Sequence, residues 1–145
     1  MKSAIKFLSI ILFALLVTGC SMFDKNSVNK IQVIAESKAN YGSVTDVDFV
    51  FVYDGDSIAL PSTNEEWFDV HNDLRFNGDV KVVSVRISPS LISEVQMPPQ
   101  HFRATKVLAY VNFKKNGDQE PMDITNKRNP VLILKDDHYR LSRRR

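Results

Sequence analysis

Val44-Thr45-Asp46-Val47-Asp48-Phe49-Val50-Phe51-Val52-Tyr53 is the stretch on which the fold turns. Val47, Phe49, Phe51 and Tyr53 alternate on one face with a period of two, which predicts a β-strand. The other face starts polar, with Asp46 and Asp48, and becomes apolar at Val50 and Val52. A strand that is apolar on both sides over its second half belongs inside a sheet covered on both faces. Asp54-Gly55 then marks a turn.

Strands with the same punctuation lie on either side. Ile31 to Ala35 is a first strand, and Glu36 to Ser43 is a polar loop containing Asn40, Tyr41 and Gly42. Val80 to Ile87 is a β-branched run bounded by Gly78-Asp79 and Pro89, and Ser93 to Met97 is a short strand ended by Pro98-Pro99. In Lys106 to Lys114, Val107, Ala109, Val111 and Phe113 share one face, with Leu108, Tyr110 and Asn112 opposite. Asn116-Gly117 is a hairpin-type turn. Val131 to Lys135 and Tyr139 to Leu141 complete the set.

One segment has a different period. Thr63-Asn64-Glu65-Glu66 fits a capping box, and Trp67, Phe68, His71 and Leu74 follow at helical spacing up to a stop near Gly78. About seven short strands and one helix of about three turns predict a mainly β protein: an antiparallel sandwich with the helix packed at its edge.

The N-terminus has another logic. Lys2 and Lys6 precede an apolar run from Phe7 to Val17, too short for a spanning helix of roughly 20 residues. The run ends in Val17-Thr18-Gly19-Cys20, which resembles a bacterial lipobox. That resemblance implies cleavage before Cys20, a diacylglycerol on its thiol and a further acyl chain on its new amine. Each buried methylene adds about 0.8 kcal/mol of membrane affinity, and several chains on one residue meet the two-signal requirement for stable anchoring. Ser21, rather than aspartate, after the cysteine implies sorting to the periplasmic face of the outer membrane. The expected domains are residues 1–19 as signal peptide, 20–29 as lipidated N-terminus and tether, and 30–145 as the β-sandwich. A free tether of about eight residues would reach roughly 15 Å.

Cys20 is the only cysteine, so no intrachain disulfide supports the fold. Removing 19 of the 145 residues leaves one domain's worth of chain. Lys2 and Lys6 leave with the signal, which takes 19 basic residues to 17 against 17 acidic ones. A neutral domain lacks the concentrated basic face of a general nucleic-acid binder, and no nucleic-acid partner is expected.

Residues that could carry chemistry are sparse. His71, His101 and His138 are far apart, and no serine sits in a nucleophile-elbow motif, so neither an enzyme nor a cofactor is expected. Asp54-Gly55-Asp56 lacks the later ligands and terminal glutamate of a calcium loop, so it reads as a solvated turn and no metal site is assigned. His71 has no ligating partner at i+4 and reads as a packing residue. Trp67 and Phe68 could dock a partner, but aromatics at helical spacing behind a cap read first as core. Arg140 with Arg143 to Arg145 could touch anionic lipid, or be a solvated terminus. Tyr41 is the more informative aromatic, because it stands in a polar loop and tyrosine is a common interface anchor.

The order of these segments resembles the TssJ (SciN) family, the outer-membrane lipoprotein of bacterial type VI secretion systems. The resemblance is carried by the lipobox, Val47 to Asp54, Glu66-Trp67-Phe68 with Leu74, Val82 to Pro89, Val107 to Phe113, and Val131 to Leu134 with Tyr139 to Leu141. It implies a transthyretin-like sandwich with an added helix, and no enzymatic activity. It implies docking onto the periplasmic C-terminal domain of the large inner-membrane component, TssM-like, through the loop between the first two strands. Here that loop is Glu36 to Ser43, short for the family, with Lys38, Asn40, Tyr41 and Gly42 as contact residues. The Arg143–Arg145 tail is no part of the family pattern. Serine at positions 40–42 should then weaken docking and leave folding nearly unaffected. The competing readings are a pilotin-like escort lipoprotein and a periplasmic lipoprotein that binds a small molecule or inhibits an enzyme.

Overall fold

The computed structural model describes residues 24–55, 58–115 and 117–142. Cys20, the rest of the lipobox, Asp56, Asn116 and the Arg143–Arg145 tail lie outside the described residues. Two four-stranded sheets face each other. Their strands are β1 (Gln32–Ala35), β2 (Thr45–Val52), β3 (Val80–Ile87), β4 (Ile92–Glu94), β5 (Lys106–Asn112), β6 (Met122–Asp123), β7 (Val131–Leu134) and β8 (Tyr139–Leu141). One sheet has the order β4-β1-β7-β8 and the other β3-β2-β5-β6.

β2 is an inner strand covered on both sides. It pairs antiparallel with β3 (Phe49 opposite Val83) and with β5 (Phe49 opposite Ala109). Val47, Phe49 and Phe51 enter the core between the sheets with Val33, Ala35, Val107, Ala109, Val111, Leu132 and Leu134. Val50 and Val52 point the other way, into a second core with Trp67, Val80, Leu108 and Tyr110.

The helix α1 (Asn64–Leu74) covers that second core from the outside of the sheet. Its start is specified locally: the Glu66 N–H donates to Thr63 Oγ1 (3.2 Å), and Glu66 Oε2 accepts from the Thr63 N–H (3.3 Å). The hydroxyl and N–H of Ser62 also donate to Glu66 Oε2, at 3.0 Å each, and hold this carboxyl below its usual range. The buried Asn64 amide stitches the first turn to the sheet, accepting from the Val111 N–H (2.9 Å) and donating to Tyr139 Oη (2.9 Å). The helix ends at Leu74, before Gly78.

Sequence and structure differ in four places. The strand expected over Ser93 to Met97 is the three residues Ile92–Glu94, which pair with β1, and it ends before Val95. β1 and β7 run parallel, Gln32 opposite Val131 to Ala35 opposite Leu134, so one sheet is mixed rather than purely antiparallel. β6, at two residues, is too short to leave a periodic pattern and brings the strands to eight. Residues assigned to the tether are docked from Lys25 onward: its N–H donates to the Phe102 carbonyl (2.8 Å), the Ser27 N–H to Thr125 (2.9 Å), and Val28 is buried. No helix among the described residues is long and apolar enough to cross a membrane.

Candidate docking site

The sequence assigned four contact residues to the β1–β2 connection, Lys38, Asn40, Tyr41 and Gly42. The structure sets them on a turn of unusual backbone. Asn40 (φ 49°), Tyr41 (φ 55°) and Gly42 (φ 74°) follow one another in the left-handed region. Glycine is free to be there and asparagine tolerates it. For tyrosine the same conformation costs roughly 1–2 kcal/mol, because Cβ crowds the following carbonyl.

Backbone of this kind persists only where its surroundings over-determine it, and here Asn40 does so. Its side chain is buried, donating through Nδ2 to the carbonyls of Val44 (3.4 Å) and Asn112 (3.3 Å) and accepting at Oδ1 from the Lys114 N–H (2.8 Å). Its own N–H donates to Lys135 (2.9 Å), and the Tyr41 N–H to Asp136 (3.1 Å). The connections after β5 and after β7 therefore grip the turn from two sides. A Glu36–Lys135 ion pair (3.1 Å) adds a further link across the base.

The consequence is a presented ring. Tyr41 is 48 % exposed, and Lys115 Nζ lies 5.0 Å from its ring centroid, within cation–π range. Lys38 is exposed on the same loop, whereas Asn40 is a strut beneath the surface and not a contact residue. Leu91, also exposed, has its carbonyl bonded to the Ala35 N–H at the base of the loop (2.9 Å). Lys114 and Lys115 also border a groove of about 530 Å³ that runs to Asn64, Glu65 and Phe68 on α1. The sequence reading missed Lys115. Lys114-Lys115 stood only as the end of a strand before a turn, and nothing local links it to residue 41.

The other candidates are dispersed. His71 packs against Trp67 and Phe68 with Nδ1 at 2.8 Å from the Phe68 carbonyl, His101 Nδ1 lies 3.3 Å from the Pro98 carbonyl, and His138 Nδ1 lies 2.7 Å from Asp137 Oδ1. No group of three or more metal-ligating side chains forms among the described residues. Trp67 is fully buried and is core, not docking surface.

No family model and no curated protein sequence matches the chain. Solved structures do. The T6SS lipoprotein TssJ1 from Pseudomonas aeruginosa aligns at TM-score 0.54 and 10% identity over 81% of this chain and 95% of that one. Serratia marcescens Lip, a membrane-bound component of the Type VI Secretion System, aligns at TM-score 0.54 and 7% identity, over 80% and 96% of the two chains. A structure of the T6SS protein TssM C-terminal domain from EAEC aligns at TM-score 0.51 and 15% identity, over 78% and 98%. The chain thus has the mainly β fold of the TssJ and Lip lipoproteins, a likeness of fold at low identity.

Proposed function

We propose that this chain is a structural, non-enzymatic lipoprotein of a type VI secretion membrane complex. Acyl chains on Cys20 anchor it to the periplasmic face of the outer membrane. Its Asn40-Tyr41-Gly42 turn docks the periplasmic C-terminal domain of the large inner-membrane component. The fold likeness supports the machine, and the lipobox separates the anchored lipoprotein from the TssM-like partner whose structure the fold also resembles. The observation that carries the docking surface is Tyr41, an exposed aromatic in a costly left-handed conformation next to the buried Asn40 amide that ties the turn to the end of β5. A fold has no need of a strained, exposed tyrosine, whereas a binding surface gains a rigid anchor with few torsions to freeze.

Two experiments test the two halves. Cys20→Ala should leave the domain folded and abolish incorporation of a palmitate analogue, with the chain unprocessed or released from the membrane. Labelling that persists in this variant rules out the anchor. Tyr41→Gly should separate binding from folding. Glycine relieves the φ 55° backbone and gives back part of that gain through its freer unfolded state, so the denaturation midpoint stays or rises. Loss of a hot-spot tyrosine costs about 2 kcal/mol or more, roughly thirtyfold in affinity. Calorimetric titration of residues 21–145 with the partner's periplasmic domain reads this directly, and wild-type affinity in Tyr41→Gly removes the turn from the interface.

A further inference from the structure

The helix has a second exposed feature that neither the fold nor the Tyr41 turn uses. Ala59, Leu60 and Pro61, in the segment leading to α1, face Val70 and Leu74 across an apolar groove of about 510 Å³. That is the size of an ordinary ligand cleft. Val70 is 42 % exposed, while Leu60 and Leu74 pack against the second core and fix the floor.

One wall of the groove is acidic. Glu66, Asp69 and Asp73 follow at spacings of three and four, which stacks their carboxylates along one side of the helix. Glu66 is engaged by Ser62 and Thr63. Asp69 and Asp73 are exposed and make no salt bridge among the described residues. Like charges at i and i+4 destabilise a helix, so this pair works against α1 while setting a negative potential beside apolar surface.

We infer that this groove docks a segment of a partner protein that carries leucine-sized side chains flanked by lysine or arginine. The apolar floor supplies area, and the cations meet Asp69 and Asp73 at a rim partly dried by the bound segment. The sign of the rim repels anionic lipid head groups, which separates this surface from a membrane contact. The inference stands apart from the Tyr41 docking turn and does not need it.

The test uses the full chain in neutral phosphatidylcholine nanodiscs, with empty nanodiscs as blank. The probes are a fluorescein-labelled peptide of repeating Leu-Lys-Lys-Leu and its Leu-Glu-Glu-Leu twin, read by anisotropy. The basic peptide should bind with micromolar affinity, weaken as salt is raised, and lose about tenfold or more in the Asp69→Asn/Asp73→Asn double variant, while the acidic twin does not bind. Val70→Ser should weaken the basic peptide as well, and neither variant should melt appreciably below wild type, the double variant matching or slightly exceeding it because the like-charge pair is removed. Equal binding of the two peptides, no binding of the basic one beyond the blank, or unchanged affinity in the double variant overturns the assignment.

Discussion

Trp67→Ala is expected to lower the stability of this domain by about 3–5 kcal/mol, the range for deleting a large buried aromatic. Trp67 is the only tryptophan and is fully buried. Its ring stacks on Tyr110 with centroids 4.6 Å apart and the planes 17° from parallel. Tyr110 is itself fixed, its hydroxyl donating to the Pro61 carbonyl (2.8 Å), and burial pushes its phenol well above the usual range. The tryptophan is therefore the plug between α1 and the outer face of β2 and β5, and alanine would leave a cavity that the two-sided β2 cannot close.

The substitution also disturbs a buried charge. Asp48 is 1 % exposed and its carboxylate is held by three residues: the Trp67 Nε1–H donates to Oδ2 (3.0 Å), Arg75 Nη2 to both oxygens (3.2 and 3.1 Å), and Ser84 Oγ to Oδ1. Losing the indole removes one of these donors from a desolvated anion, where an unmet hydrogen bond costs about 1–3 kcal/mol. Trp67→Phe helps to separate the two contributions, since it loses the donor but only part of the ring. It should cost clearly less than alanine. Urea titration followed by far-ultraviolet circular dichroism measures both, because the only indole fluorophore is gone in each. An unchanged midpoint in Trp67→Ala would mean that the helix is not held by this contact.

Asp48 also shows where the sequence stops informing. The alternation in 44–53 gave both faces of β2 correctly, with Val47, Phe49 and Phe51 between the sheets and Val50 and Val52 under the helix. The same alternation put Asp48 with Asp46 at the polar start of one face and said nothing of what meets its charge. Its partners stand 19, 27 and 36 residues away, and a period of two carries no information about them. The capping box, in contrast, is closed within four residues and was fully legible. The parallel pairing of β1 with β7 was not, because it joins strands separated by most of the chain and leaves no turn motif between them. At the 40–42 turn, Gly42 and a tyrosine within a polar loop could be read from the sequence. The left-handed backbone at residues 40 and 41 could not, since it is imposed by the connections after β5 and β7.

That imposed backbone makes Asn40 the second position of large effect, and here the expectation that polar substitutions across 40–42 would spare the fold needs correction. Asn40 is 2 % exposed and its side chain bonds three backbone groups on two segments. Asn40→Ala removes these bonds, strands the Lys114 N–H and the Asn112 carbonyl, and places a Cβ-bearing residue without a compensating amide at φ 49°. An unmet buried group costs about 1–3 kcal/mol and the alanine backbone about 1–2 more; residues 112 and 114 are exposed and water meets part of the loss, so a loss of about 2–4 kcal/mol is expected. Asn40→Gly removes the same bonds and relieves the backbone, so its stability should fall between alanine and wild type. Partner affinity should drop in both variants although Tyr41 is intact, because Asn40 sets the backbone that presents the ring, and the Tyr41 N–H bond to Asp136 and the Lys115 contact depend on that backbone. A urea midpoint for each variant beside a calorimetric titration with the partner's periplasmic domain decides the matter. If Asn40→Gly is as stable as wild type, the amide does not hold the turn. If either variant binds with wild-type affinity while Tyr41→Gly does not, Tyr41 needs no strut, and the strain at residue 41 has another cause.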